Sequence, residues 1–131
     1  MIVVDASALV AVLLREPEDM AFRRFMARET DLVLSPVGYW EAATRVRALR
    51  GEAGVADLDQ VIAILGIRIA AATSRTASLA AGAERDFGKR TPARLNLGDC
   101  FAYALAKESD APLLFKGDDF GQTDLPPALP A

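Results

Sequence analysis

The chain has 131 residues, of which 52% are hydrophobic and 25% charged, and its formal net charge is −3. This composition is typical of a folded globular protein, and no apolar run approaches the roughly 20 residues that a membrane-spanning helix needs. Histidine is absent and Cys100 is the single cysteine, which excludes histidine-based catalysis, histidine-ligated zinc and an internal disulfide. Any chemistry must therefore depend on carboxylates, hydroxyls, Lys or Arg side chains, or a bound ion.

Strands and helices are predicted to alternate along the chain. Short apolar runs, rich in β-branched residues at the start, predict strands at 2–4, 32–34, 67–70 and 112–115. Amphipathic or small-residue segments predict helices at 8–16, 18–29, 36–50, 55–65, 74–89 and 99–109. Residues 91–98 are expected to form a loop, and the proline-rich residues 124–131 to be irregular. We expect one domain over 1–131. The apolar start of the chain could be mistaken for a signal peptide, but it lacks a basic region and contains Asp5, so we expect a cytoplasmic location.

Cap residues support these helix starts. Ser7 is expected to cap the first helix, and Ser35 followed by Pro36 is typical of an N-cap and first helical turn. Strands joined by helical crossovers favour an α/β fold whose mostly parallel sheet is covered by helices on both faces. In such sheets, ligands bind beyond the carboxyl ends of the strands.

Acidic residues occupy unusual places in this predicted fold. Asp5 directly follows the first strand, and Asp118 and Asp119 come shortly after the last one. Glu41 has apolar or small neighbours at most helical offsets, and Asp99 opens a helix of small residues. Four such acids in one region would repel one another and raise their pKa values unless a cation lay between them. Mg²⁺ and Mn²⁺ prefer oxygen ligands, so the pattern indicates a divalent metal site.

Simpler interpretations exist for each acid taken alone. Asp99 could be the third residue of a capping box that begins at Asn96, while also binding metal. Glu41 could form a surface ion pair with Arg45 at the i+4 position. Asp5 could be a turn residue, and so could Asp118 or Asp119 after Gly117. The four acids together are more specific than any one of them.

Four segments in this order resemble the PIN-domain ribonucleases, and more narrowly the VapC-type toxins of bacterial toxin–antitoxin pairs. They are VVDASALVAVLL, SPVGYWEAATRV, LNLGDCFAYALAK and PLLFKGDDF followed by TD. The resemblance spans nearly the whole chain. It implies a three-layer α/β/α fold around a mostly parallel sheet of four to five strands. It also implies RNA cleavage with Mg²⁺ or Mn²⁺, and inhibition by a small VapB-type antitoxin.

The resemblance also assigns roles to residues. Asp5 and Asp99 match the two principal metal-ligand aspartates of the family, and Glu41 matches its acidic residue on the third helix. The fourth acidic position is placed at Asp118 by its offset from the last strand, with the adjacent Asp119 as the alternate. Ser7 matches a small hydroxyl residue that supports the metal site.

Basic residues near these acids are candidate contacts to RNA phosphates, because an acidic pocket needs local cations to bring an anionic backbone close. The candidates are Arg85, Lys89, Arg90, Arg94 and Lys116. The simpler interpretation of the segment around 84–94 is a solvated face and loop.

Competing functions have specific sequence requirements. A response-regulator receiver needs a phosphoacceptor aspartate after a middle strand, where Ser35 and Pro36 stand. A haloacid-dehalogenase-type phosphatase needs a second aspartate two residues after the first, where Ser7 stands. A non-catalytic regulatory module with the same fold is a third alternative, and metal-dependent RNA cleavage that requires Asp5 would distinguish the nuclease from all three.

A partner surface is the last expectation from the sequence. The first three helices carry more large apolar side chains than a thin sheet needs, which favours a groove for an antitoxin segment. The residues proposed for it are Leu13, Leu14, Phe22, Phe25, Met26, Tyr39 and Trp40. Core packing is the simpler interpretation of each one, and a homodimer, or a hetero-oligomer with antitoxin, would compete for the same surface.

Overall fold

A computed structural model describes residues 1–129. The strands are β1 (Ile2–Val4), β2 (Leu32–Leu34), β3 (Arg68–Ile69) and β4 (Leu113–Leu114). The helices are α1 (Ala6–Leu13), α2 (Asp19–Ala27), α3 (Pro36–Leu65), α4 (Ser74–Phe87) and α5 (Leu97–Ser109), followed by a short 3₁₀ turn, Phe120–Gln122. No helix in this part of the chain is both long and apolar enough to span a membrane.

The four strands form one parallel sheet in the order β3-β2-β1-β4. The chain leaves β1 for β2 on one side, and β4 later pairs with β1 on the other side. The carboxyl end of β1 is therefore the point where the strand order reverses, which is where α/β sheets bind ligands. Asp5 stands there, and its N–H donates to the Leu114 carbonyl at 2.9 Å.

Alternate residues of each strand face opposite layers. Val4, Leu34 and Leu114 pack with α1, α2 and α3, while Val3 and Leu113 pack with α4 and α5. Both faces of the sheet are thus covered, which confirms the three-layer α/β/α expectation.

The tail beyond β4 is more ordered than the sequence analysis expected. The Leu113 N–H donates to the Pro126 carbonyl at 3.2 Å, and the Ala128 N–H donates back to Leu113 at 2.8 Å. This single parallel bridge covers the open edge of β4. The last two positions of the proline-rich segment, 130 and 131, lie outside the described residues.

The structure defines the break inside α3 and the start of α1. Gly51 interrupts α3 with a positive φ of 67°, where the sequence predicted one helix to stop and another to follow. Arg50, just before this break, donates to the Leu13 carbonyl at 2.9 Å and so ties it to the end of α1. The expected cap of α1 at Ser7 is wrong: Asp5 is the N-cap, because its own carboxylate accepts the Ser7 N–H.

The expected apolar groove is only partly available. Leu13, Phe22 and Met26 are buried in the core with α1 and α3, so the prediction that they line an open groove is wrong. The reason is that α2 folds back on the sheet layer and its apolar face is used for packing. Leu14, Phe25 and Tyr39 are half-buried against the same core, whereas Trp40 is 62% exposed.

Candidate functional site

A cleft of about 710 Å³ opens beyond the carboxyl ends of β1 and β4. Residues from five parts of the fold meet there, including Asp5 after β1, Glu41 on α3 and Asp99 on α5. The cleft is also lined by Glu16, Lys116 and Asp119 from loops. The structure therefore brings together three of the predicted acids at the place that the strand order marks.

Asp5 is the most deeply buried of these acids, with 3% of its surface exposed. Its pKa is raised to about 7, chiefly by burial; the nearby charges of Asp99 and Glu41 contribute to the rise, and hydrogen bonds from Ser7 oppose it. One of those bonds is the Ser7 N–H to Asp5 Oδ2 at 3.0 Å. A carboxylate in this position is costly to ionise without a cation beside it.

Ser7 links the two strands that frame the cleft. Its hydroxyl accepts the backbone N–H of Lys116 at 2.9 Å, and its own N–H holds Asp5. The segment that leaves β4 is thereby fixed against the start of α1. This supports the expectation that Ser7 orients the acidic site rather than acting as a helix cap.

Asp99 sits in the first turn of α5, in a complete capping box with Asn96. Its N–H donates to Asn96 Oδ1 at 2.8 Å, and its Oδ2 accepts the Asn96 N–H at 3.0 Å. Burial raises the pKa of Asp99, the Asn96 bond opposes this, and the charge of Asp119 raises it again. The capping interpretation is thus confirmed, and it leaves the second carboxylate oxygen of Asp99 available to the cleft.

Glu41 lies against the start of α5. A side-chain carbon added at Gly98 would stand 2.7 Å from the Glu41 Cδ and 2.8 Å from Oε1, so a larger residue there would push the flexible end of the Glu41 side chain aside. Burial raises the pKa of Glu41, and Asp99 raises it further. Within residues 1–129 Glu41 forms no ion pair with Arg45, although both line the cleft and Arg45 lowers the Glu41 pKa. The surface-pair interpretation of Glu41 is therefore wrong.

The fourth acid that lines the cleft is Asp119, which the sequence-based assignment named as the alternate to Asp118. Asp119 lines the cleft and acts on the pKa of Asp99, whereas Asp118 is not among the lining residues. The reason is local: Gly117 has a φ of +100° and turns the chain, and both aspartates cap the 3₁₀ turn through their carbonyls. The offset from β4 could not resolve this turn.

The predicted phosphate contacts are scattered. Lys116 lines the cleft, but its Nζ pairs with Glu16 at 3.0 Å and Glu18 at 3.6 Å. Lys89 is close enough to lower the Asp99 pKa, and Arg85 pairs with Asp86 at the surface. Arg90 and Arg94 are exposed in the loop after α4 and do not line the cleft.

Sequence reasoning missed two charged residues of the cleft. Glu16 lies between α1 and α2 and reaches the site through Lys116, and its position beside Pro17 carries no signal of this role. Arg45 was considered only as a partner for Glu41, but it supplies a cation to the cleft wall. Its spacing of one helical turn from Glu41 was the available signal.

The acidic residues of the cleft offer only carboxylate oxygens as metal ligands, and Mg²⁺ prefers oxygen ligands of this kind. Among the described residues, no three acidic, thiol or imidazole side chains stand close enough to form a ready-made metal cage. Mg²⁺, however, is typically held by one or two carboxylates together with water. Burial, together with neighbouring carboxylates, raises the pKa of Asp5, Glu41 and Asp99, so a cation bound beside them would favour their ionised forms.

Comparison with known proteins gives a consistent result. The PIN-domain family pattern matches residues 2–125. The VapC ribonuclease Mb0640 of Mycobacterium bovis is 41% identical over 124 residues, which cover 94% of this chain and 95% of the relative. The Ribonuclease VapC of Mycolicibacterium smegmatis is 40% identical over 124 residues, 94% of this chain and 96% of that protein.

Solved structures show the same fold. The crystal structure of Mycobacterium tuberculosis VapC20, described as a sarcin–ricin-loop-cleaving toxin, aligns with a TM-score of 0.80 over 95% of this chain and 96% of that one, at 14% identity. A toxin–antitoxin complex from Klebsiella pneumoniae aligns with a TM-score of 0.68 over 95% and 93%, at 15% identity. These similarities show that the chain shares the fold of these proteins.

Proposed function

Because the chain belongs to the PIN-domain family and, within it, to the VapC ribonucleases, we propose that it is the toxin of a type II toxin–antitoxin system and hydrolyses RNA phosphodiester bonds. The observation that carries this proposal is the convergence of Asp5, Glu41 and Asp99, from three separate elements, on one cleft. The receiver and phosphatase alternatives do not account for that arrangement.

Asp5 and Asp99 are the residues proposed to hold Mg²⁺ or Mn²⁺. Both are nearly buried, and both are oriented by backbone N–H groups, of Ser7 and Asn96 respectively. When bound, such an ion activates water and neutralises charge on the phosphate. Glu41 and Asp119 face the same space and are proposed to bind a second ion or to orient water.

The remaining charged residues of the cleft shape its access. Lys116 is held by Glu16 and Glu18, so its charge balances these acids at the rim. Arg45, on α3, also lines the cleft and is proposed to contact the RNA backbone together with Lys89. These cations would offset the charge of the acids as an RNA phosphate approaches.

The partner is proposed to be a VapB-type antitoxin that binds next to the cleft and blocks access of RNA. Trp40 is the exposed aromatic residue adjacent to Glu41 and fits the role of an interface anchor. The protein is also proposed to form a homodimer or a hetero-oligomer with the antitoxin. Its site of action is proposed to be the cytoplasm, where its RNA substrate is found.

Metal depletion tests this function. Purified protein is incubated with single-stranded RNA after EDTA treatment, and Mg²⁺ or Mn²⁺ is then restored. We expect no cleavage in EDTA, full cleavage with either ion, and loss of cleavage when stoichiometric antitoxin is added. Cleavage that continues unchanged in EDTA would contradict the metal-dependent mechanism.

A further inference from the structure

A second cavity of about 400 Å³ lies between α4 and α5, beside the acidic cleft. Its floor is formed by small or apolar side chains, among them Ala80, Leu95 and Cys100, which are buried. Asn96 lines both this cavity and the cleft, so the two spaces are neighbours across one residue. We call this second space the side cavity.

The cavity exists because α4 presents small residues at its opening. Ala80 and Ala81 stand about one helical turn after Ala77, and all three line the cavity between α4 and α5. Larger side chains there would fill the space. The volume is in the range of pockets that hold small, largely apolar ligands, and Phe101 adds an aromatic wall.

The rim of the side cavity is polar and carries both donors and acceptors. Glu84 supplies a carboxylate and Lys89 an ammonium group, and both act on the pKa of the buried Cys100, which burial raises to about 11. Asn96 uses its Oδ1 to accept the Asp99 N–H. The backbone N–H of Asn96 donates to Asp99, but its side-chain nitrogen Nδ2 has no protein acceptor within residues 1–129 and is free to donate to a ligand.

An apolar slot with an aromatic wall and a polar rim is the arrangement with which proteins bind an unstacked nucleobase. The aromatic face stacks on the ring, and the rim groups bind the polar edge. We propose that the side cavity binds one base of the RNA next to the cleaved phosphodiester bond and thereby sets the cleavage sequence. This inference rests on the proposed ribonuclease function, and it names the residues that would select the substrate.

Charge supports RNA rather than an apolar protein segment as the occupant. Lys89 lies at the rim between the side cavity and Asp99, where a phosphate that joins the bound base to the cleft would pass. Its Nζ makes only a long contact, 3.4 Å, to the Arg94 carbonyl, and it can therefore turn toward an anion. A buried apolar segment would leave both Glu84 and Lys89 without water or a partner.

The test fills the cavity without touching the acidic cleft. Ala81→Leu places a larger side chain in the opening, and Ser78→Leu places the same side chain at an exposed position of α4 that does not line the cavity. Both variants and the wild type are assayed on RNA oligonucleotides that differ only in the bases flanking the cleaved bond. We expect Ala81→Leu to lose at least tenfold in kcat/KM on the preferred sequence and to discriminate less, with Ser78→Leu unchanged.

A second variant covers the case in which Ala81→Leu fails to fold. Glu84→Gln replaces an exposed carboxylate by an amide that presents donors as well as an acceptor, and we expect it to change the preferred base while general cleavage persists. Wild-type preference and rate in both Ala81→Leu and Glu84→Gln would overturn the inference. Unchanged cleavage with weakened antitoxin binding or altered oligomeric state would overturn it too, and would assign the cavity to a protein interface. If the wild type cleaves no RNA, the proposed function itself is wrong and the inference falls with it.

Discussion

The Glu41 carboxylate occupies the space that a side chain at position 98 would need. A Cβ at Gly98 would lie 2.7 Å from Glu41 Cδ, which is far inside van der Waals contact. Gly98 in turn is buried in the first turn of α5, next to Asp99. The glycine therefore lets α3 and α5 bring two acids to the same cleft.

Gly98→Ala should displace Glu41 and abolish most RNA cleavage. We expect a loss of activity similar to that of Glu41→Gln with little change in stability, because the added methyl group would meet only the far end of the flexible Glu41 side chain, which can move aside. Thermal unfolding and cleavage rates measure the two effects separately.

Gly82→Ala is the matched control, because a Cβ there meets only the Arg85 side chain at 3.6 Å. It should keep full activity and raise stability by up to about 1 kcal/mol, as alanine favours helix. Wild-type turnover in Glu41→Gln would show that this carboxylate has no part in the reaction.

Asp119→Asn should reduce cleavage strongly, whereas Asp118→Asn should leave it close to wild type. The two residues are adjacent and both are exposed, but Asp119 lines the cleft and interacts with Asp99. Rates measured at saturating Mg²⁺ separate a catalytic loss from weaker metal binding. If Asp118→Asn were inactive and Asp119→Asn active, Asp118 would be the fourth acid, as its position after β4 predicted.

The stability of the metal-free protein should fall as pH rises from about 4 to 7. Burial raises the pKa of Asp5 to about 7, so between these values the folded state binds more protons than the unfolded state. Asp5→Asn should remove this loss, with no gain near pH 4 and a gain of at most about 4 kcal/mol above pH 7. Urea unfolding in EDTA at several pH values measures it. If Asp5→Asn raised stability by the same amount at every pH, ionisation of Asp5 would not be what destabilises the folded protein.

Trp40→Ser should weaken antitoxin binding without unfolding the protein. Trp40 is 62% exposed, so its loss should change stability by less than about 0.5 kcal/mol, while affinity should fall at least tenfold if it is an interface anchor. Phe22→Ser is the contrast: Phe22 is buried, and its loss should cost about 3–5 kcal/mol. Normal antitoxin affinity in Trp40→Ser would place the interface elsewhere.

The fold was largely predictable because its signals are local. β-Branched runs gave the inner strands, and Ser35, Pro36 and Asn96 marked helix starts that the structure confirms. The meeting of Asp5, Glu41 and Asp99 followed from the rule that ligand sites lie at the carboxyl ends of parallel strands. The single-domain assignment of 1–131 stays a prediction.

The errors concern features that depend on tertiary packing or on single backbone angles. Phe22 and Met26 were assigned to an open groove because helix periodicity cannot say whether a neighbouring helix covers that face. Residue spacing could not decide between Asp118 and its alternate Asp119, because it does not encode the turn at Gly117 with its positive φ; which of the two acts in catalysis stays a prediction. The side cavity depends on which alanines of α4 face α5, which sequence alone does not determine.

Asp5 and Asp99 are proposed to hold the divalent ion that RNA cleavage requires. The most direct measurement is Mn²⁺ binding by calorimetry, together with RNA cleavage, for the wild type, Asp5→Asn and Asp99→Asn, with folding checked by circular dichroism. We expect both variants to fold, to bind Mn²⁺ at least tenfold more weakly and to cleave no RNA. Folded variants that bind Mn²⁺ and cleave RNA as the wild type does would contradict it.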